Sequence, residues 1–471
     1  MERILNIEYL KDNLEEKRKN DTGEAMDILP FLTKRSQEIR KSGFNKVLGD
    51  YIRKICEVKF DEKSLKNKEV YFSTEGNGLS EHIADNVEFE QEDDKHDFIR
   101  FLNQYLINQD DINPIHPFIF NFIKVDKRLN NEYGKYATFM YENFVKGNQE
   151  IKQVFHNRET EDILTELVLS KMDVLEEENS QQKQEYQPLL HSFTKLYQEY
   201  LLFLSKYKDY FLTSFPLLTH YYVFMYACQL IIKFEQFTEA DFDKIQPLYF
   251  ALEMESISKR RKAADELEGF KFIKDHSINL FRHIHTISHL SHNVFNEELL
   301  KKGEKIDFMP YSQLNKLVKQ EGTEFEQLFL RDIKQWIQDY LEWSNKKVDD
   351  ESQDLESAMK ILFNCLKAGM SAGVCDKYGK NIEDLGANIF IKSRGSIGQV
   401  LNIKHDFLLL LTAVSVKNQR IPLNDLFVEF ERRGVAFDRY SKKEIISLFD
   451  NLNILDKKSD SGDAQYVKPI L

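Results

Sequence analysis

The residues best suited to chemistry in this sequence are histidines: His283, His285, His289 and His292 fall close together, with His276 seven positions before His283. On a helix His285, His289 and His292 stand at i, i+4 and i+7, a spacing that offers three imidazole nitrogens to one zinc or iron ion. The pattern H-x-H-x-x-x-H-x-x-H lacks the interleaved glutamate of H-E-x-x-H, so no water-activating base accompanies it. Packed or solvated histidines on an ordinary helix are the simpler expectation, and the sequence assigns no resident metal and no cofactor. Lys259-Arg260-Arg261-Lys262 sets four bases in a row, but consecutive residues wrap around a helix and cannot all meet one phosphate track. Gly373 to Asn381 approaches a phosphate-binding loop, with one residue too many between its glycines and Asn381 where a hydroxyl should hold Mg²⁺. Gly395-Ser396-Ile397-Gly398, behind Lys392 and Arg394, has the form of a G-x-x-G clamp on a phosphate backbone, although two turn glycines explain it as well. Glu57-Val58-Lys59 is an E-x-K fragment of the kind found in divalent-metal nucleases, set in an apparently helical stretch with no paired acidic strand before it. Nucleophile elbows and dinucleotide fingerprints are absent. The expectation is a non-enzymatic protein, with a metallo-hydrolase built on the histidines as the enzymatic alternative.

The elements that would carry these residues are helical from the amino terminus to about residue 350. Phe325, Leu328, Phe329, Ile333, Trp336, Ile337, Tyr340 and Leu341 recur at three and four and paint one stripe on a helix. Glu161 to Leu175 and Leu189 to Phe203 behave similarly, and Val70-Tyr71-Phe72 before Glu75-Gly76-Asn77-Gly78 reads as a strand and turn. Polar stretches at Glu176 to Gln187 and Lys346 to Asp354 separate an amino-terminal helical domain (1–180), a central helical domain (186–350) and a carboxy-terminal region (355–471). The chain has 471 residues and a formal charge of −13, with 42% hydrophobic and 13% aromatic residues, which excludes collagenous, low-complexity and wholly disordered classes. Cys56, Cys228, Cys365 and Cys375 form no C-x-x-C pair, so a reducing cytoplasmic setting is the simplest expectation. The charge-free window Tyr210 to Ile232 is long enough to cross a bilayer but contains Pro216, His220 and Gln229; a buried helix beginning near Pro216 is expected instead, with no membrane partner.

The tail is the most informative stretch. From Lys392 to Leu471 there are 13 Lys+Arg against 10 Asp+Glu, or +3, so the other 391 residues carry −16. Such asymmetry points to an anion-facing module on an acidic body. A buried helix is expected from His405 to Lys417. Pro422 then suits a helix start, Leu423, Leu426, Phe427 and Phe430 follow at helical spacing, and Gly434 stops the element. Ser441-Lys442-Lys443-Glu444 has capping-box form, with Ile445, Leu448, Phe449 and Leu452 behind it. Ile454 to Lys458 and Gln465 to Lys468, around the turn Ser459 to Asp463, read as a β-hairpin. The fold expected is mainly α: a multi-domain helical body with a carboxy-terminal winged helix, a helix-turn-helix plus β-hairpin at about 405–471. Candidate DNA contacts are Arg432, Arg433, Arg439, Ser441, Lys442 and Lys443 around the third helix, Lys457 and Lys458 on the wing, and Lys392 and Arg394 before the module. Many winged helices join proteins instead, and Asp438, Glu444, Asp450, Asp456, Asp460 and Asp463 dilute the basic charge.

Asn388-Ile389-Phe390-Ile391-Lys392-Ser393-Arg394-Gly395-Ser396-Ile397-Gly398 and Lys457-Lys458-Ser459-Asp460-Ser461-Gly462-Asp463-Ala464-Gln465-Tyr466-Val467 resemble the closing region of the DptG family of DNA phosphorothioation-dependent restriction proteins. The resemblance implies a bacterial phage-defence subunit that works with DptF-like and DptH-like ATPase partners against double-stranded DNA lacking phosphorothioate marks. It implies no catalytic residues.

Overall fold

A computed structural model describes residues 3–17, 20–34, 37–60, 78–108, 111–123, 130–172, 175–178, 183–253, 268–349, 351–457 and 465–471, and the protein is mainly helical. The strand expected at Val70–Phe72, the basic run Lys259–Lys262, Lys458 and the hairpin loop Ser459–Asp463 lie outside the described residues. Two compact units are distinguished, one comprising 41–184 and 194–220, the other 1–40, 185–193 and 221–471.

In the smaller unit, α1 (Val47–Cys56) buries Val47, Leu48, Tyr51, Ile52 and Ile55 and ends at Glu57 in a left-handed conformation. Because that residue redirects the chain, Val58–Phe60 becomes strand β1 and not a continuation of the helix, which corrects the helical reading of the E-x-K fragment. Helices α2 (Gly78–Asp85), α3 (Glu92–Leu106), α4 (Asn130–Met140), α5 (Gln149–His156) and α6 (Ile163–Ser170) follow. Asn148 and Asp162 cap α5 and α6 by accepting a backbone N–H three residues on. Strand β2 (Leu175–Glu177) pairs antiparallel with β1. Ile83, Leu102, Leu106, Phe118, Ile119, Phe122, Val168, Leu169 and Met172 make one apolar cluster of this unit. Along α7 (His191–Leu204), Tyr197 sets a buried chain of hydroxyls, 3.2 Å from Tyr51 and 3.0 Å from Thr219.

Helix α8 (Lys208–Glu235) is long and apolar enough to cross a membrane, but 89% of its most apolar window is buried inside the protein. It starts at Lys208 and holds Pro216 in its interior, which corrects the expected start near Pro216. Burial of Phe211 and Phe215 in the turns before the proline outweighs the one missing N–H.

The larger unit has a small mixed sheet. Strand β3 (Leu248–Leu252) is buried at every residue, and helix α9 (Phe270–Ser291) follows. Then come α10 (Tyr311–Glu321), α11 (Thr323–Ser344), α12 (Leu355–Gly369), α13 (Ala372–Gly379), β4 (Ile391–Ser393) and β5 (Gln399–Ile403). Helix α11 buries Phe329, Ile333, Trp336, Ile337 and Tyr340, the stripe written in its sequence. Helix α13 occupies the stretch that approached a phosphate loop: Gly379 packs so closely on α9 that a Cβ would run into the backbone carbonyl of Ser277. Gly395 and Gly398 hold φ of +56° and +82° in the turn between β4 and β5.

The tail continues with α14 (His405–Val416), β6 (Ile421–Pro422), α15 (Leu423–Arg432), β7 (Val435–Ala436), α16 (Arg439–Asn451), β8 (Leu455–Lys457) and β9 (Gln465–Val467). Two of these strands have no periodic sequence signal. Residues 421–422 pair with β9, giving the order β8-β9-β6, and 435–436 lie parallel to β3, giving β4-β5-β3-β7. Three tail helices and the β8–β9 hairpin were expected and are present. Helix α16 begins three residues earlier than its capping-box sequence suggests. Asp438 accepts the N–H groups of Tyr440 (2.9 Å) and Ser441 (2.7 Å), so Ser441 sits inside the first turn, fully buried.

Candidate nucleic-acid interface

The geometry divides the nominated DNA contacts into two classes. Helix α15 turns its apolar face inward through Leu423, Leu426, Phe427 and Phe430, which leaves its last turn to position two arginines differently. Arg432 points outward, 68% exposed at the side chain, with Glu429 2.5 Å away. Arg433 is 4% exposed, and its Nη1 donates to the Glu429 carbonyl oxygen (2.5 Å) and carboxylate (2.6 Å). The burial follows from the bend: Gly434, at φ +89°, turns the chain sharply into β7, and the backbone oxygen of Arg433 accepts from the Tyr221 hydroxyl at 2.6 Å. Arg433 is therefore a structural side chain and not a phosphate contact. Ser441 leaves the candidate set for a similar reason, because α16 buries it.

Lys392 and Arg394 are also occupied. Arg394 Nη2 donates to the carbonyls of Leu252 (2.8 Å) and Glu253 (2.9 Å) and to Asn402 Oδ1 (3.0 Å). It thereby satisfies backbone acceptors at the carboxyl end of β3. Lys392 Nζ lies 3.4 Å from the Glu253 carbonyl and 3.7 Å from its carboxylate. The lysine and arginine before the G-x-x-G turn thus close one end of the sheet, and the turn glycines have open space around them.

What faces outward is the amino-terminal half of α16. Arg439, Tyr440, Lys443, Glu444 and Ser447 are exposed, while Ile445 and Phe449 anchor the opposite face. Arg439 Nη2 donates to the Tyr440 hydroxyl at 2.7 Å. Lys442 is half-buried, its ammonium 5.1 Å from the Phe427 ring centre and 3.6 Å from Glu431. A helix amino terminus with its own cap still presents positive dipole and outward bases, an arrangement suited to phosphate. The β8–β9–β6 edge adds Arg420, whose guanidinium lies 5.3 Å from the Tyr466 ring centre and 3.8 Å from Asp456. Arg420 carries no sequence signal; the pairing of β6 with β9 brings it beside the hairpin. The strand residue Lys457 belongs to β8.

The histidines do not converge. His283, fully buried, lies 3.1 Å from the Tyr311 hydroxyl and 3.4 Å from Glu235, and stacks on Phe363 at 4.1 Å. His285 meets the Phe281 ring edge, His289 Nε2 contacts the Asn20 carbonyl at 2.8 Å, and His292 stacks on Tyr9 at 4.6 Å. Each ring is used by a different neighbour, so the i, i+4, i+7 spacing supports packing and not one ion. Among the described residues no group of three His, Cys, Asp or Glu side chains could hold a metal. Glu57 and Lys59 of the E-x-K fragment are likewise tied to separate partners, Lys152 at 2.6 Å and Glu176 at 3.3 Å. No protein-family model and no curated protein matches this chain.

Proposed function

We propose that residues 405–471 form a winged-helix module and that the chain is a non-catalytic, DNA-engaging adaptor of a bacterial phosphorothioation-dependent restriction complex, related to DptG. The observation that carries the reading is the order helix, short strand, helix, short strand, helix, hairpin, with β6 pairing onto β9, β7 pairing outside the module onto β3, and the third helix carrying Arg439, Lys442 and Lys443 in its amino-terminal turns. In this reading α16 meets the duplex, Arg420 contributes from the wing side, and the acidic remainder of the chain meets DptF-like and DptH-like ATPase subunits. Fold alone does not fix function; the assignment to DNA rests on the exposed bases.

The test is salt-titrated fluorescence anisotropy of the full chain on a duplex. Three phosphate contacts give a slope of log K against log salt of about −2.7. Replacing Arg439, Lys442 and Lys443 by Glu removes that slope and the binding; an unchanged slope in the folded triple variant overturns the proposal. A second reading, an assembly subunit whose module binds another protein, draws support from Val428 and Leu452, each 47% exposed on the same module. It is favoured if the triple variant loses complex formation while neither form binds DNA.

A further inference from the structure

Helix α3 in the smaller unit carries an aromatic strip at the edge of its buried face. Leu102 and Leu106 are buried in the apolar cluster of that unit. Around the helix from them, Phe98, Phe101 and Tyr105 stand at i, i+3 and i+7, and their rings form a continuous run. Phe89 to Phe98 is 5.5 Å between ring centres, Phe98 to Phe101 is 6.5 Å, and Phe101 to Tyr105 is 5.7 Å with the planes 14° apart. Phe98 and Tyr105 pack inward by one edge, whereas Phe101 is 44% exposed. A single exposed ring is ordinary; a stacked run along one helix whose central ring faces water is a contact surface.

The surroundings of that run have one sign. Between Glu81 and Arg100 the sequence holds eight acids (Glu81, Asp85, Glu88, Glu90, Glu92, Asp93, Asp94, Asp97) and two bases, Lys95 and Arg100, a balance of −6 with neutral histidines. Both bases are already spent, Lys95 on Asp85 at 2.9 Å and Arg100 on Asp97 at 2.8 Å. Glu88, Glu90, Glu92, Asp93, Asp94 and Asp97 are all exposed. An apolar strip fenced by unneutralised carboxylates selects an occupant with the inverse pattern. Such an occupant has apolar side chains on one stripe and Lys or Arg beside them, the cations also meeting the faces of Phe and Tyr. A second copy of this chain, at −13, and an anionic lipid surface both meet repulsion here.

We infer that the α3 face is a docking site for a Lys/Arg-rich amphipathic segment of a partner protein. The site is distinct from the bases of α16 and does not depend on the nucleic-acid reading. The probe is a labelled Leu/Lys amphipathic peptide of about 18 residues, with its Leu/Glu counterpart as control, titrated into the full chain by anisotropy. Two variants separate the apolar and charged parts: Phe101→Ser, at an exposed position, and the triple change Glu92→Gln, Asp93→Asn, Asp94→Asn, with circular dichroism confirming the fold of both. The expected result is saturable binding of the Leu/Lys peptide, weakened about tenfold or more by each variant, with added salt mimicking the triple change. Binding unaltered by both variants, or equal binding of the Leu/Glu peptide, overturns the inference. So does a dimer of the parent chain that Phe101→Ser converts to monomer in sedimentation, which would assign the face to a second copy.

Discussion

Acidification should destabilise the larger unit steeply, and the cause lies on one face of α9. Burial holds His285 and His289 at about 4 and His292 at about 3, against 6.5 for a free imidazole. His292 is fully buried, and among the described residues neither of its ring nitrogens has a hydrogen-bond partner, so nothing compensates a charge there. The folded pKa values are depressed. As pH falls past 6.5 the unfolded chain takes up protons that the folded chain refuses, so the stability present above about pH 6.5 is lost down to about pH 4. At about pH 5 each group costs about 2 kcal/mol relative to neutral pH, or about 6 kcal/mol for the three, comparable with the whole stability of an ordinary domain. Urea unfolding followed by far-ultraviolet circular dichroism at about pH 7.5 and about pH 5 measures the loss. His292→Phe isolates the histidine contribution from that of carboxylates: the ring stack on Tyr9 is kept, the proton site is gone, and the pH-dependent loss should shrink by about one third. Equal unfolding free energies at the two pH values, or a pH dependence that the variant leaves untouched, would refute the reasoning.

Two further substitutions test the structural assignments. Arg433→Ala removes both bonds to Glu429 and should lower stability by about 2 kcal/mol, discounted for the partial exposure of that carboxylate, while leaving the salt slope of DNA binding unchanged; a lowered slope in the folded variant would return Arg433 to the interface. Gly379→Ala drives a methyl into the α9 backbone and should cost about 1–3 kcal/mol, read as a lower thermal midpoint; an unchanged midpoint would mean that α9 and α13 can separate freely.

Much of this was legible in the sequence, and the remainder was hidden for identifiable reasons. The stripe of α11 and the apolar positions of α15 follow the 3.6-residue period because each helix buries one face. The strands escaped notice because β6 and β7 have two residues each, too short for alternation, and β3 is buried on both faces so that it reads as an undirected apolar run. Local rules put proline at a helix start, yet α8 begins eight residues before Pro216 because burial of Phe211 and Phe215 overrides them. At the candidate interface, residue type revealed which side chains were basic but not which were already committed. Arg394 holds the carboxyl end of β3 and Arg433 the last turn of α15, and their partners, Leu252 and Glu429, are 142 residues and 4 residues away respectively. Nothing in a linear charge count separates them from Arg439.

That separation sets how strongly the module can hold DNA by itself. Once Arg394, Arg433 and Ser441 are withdrawn, the accessible bases of the described tail are chiefly Arg420, Arg432, Arg439, Lys442 and Lys443. Of these, Arg420, Arg432 and Lys442 lie within 4 Å of Asp456, Glu429 and Glu431. A carboxylate beside each base lowers the gain from neutralising a phosphate, so the effective footprint is about three contacts, the range of weak, sequence-independent binding with Kd of order 10⁻⁴–10⁻⁶ M at physiological salt. Under the adaptor role proposed above, partners must add phosphate contacts before a complex can stay on DNA. The full chain alone should therefore bind duplex weakly, with little preference among sequences, in anisotropy at about 0.15 M salt. Nanomolar affinity of the isolated chain under those conditions would place a larger cationic surface elsewhere and remove the need for partners from the argument.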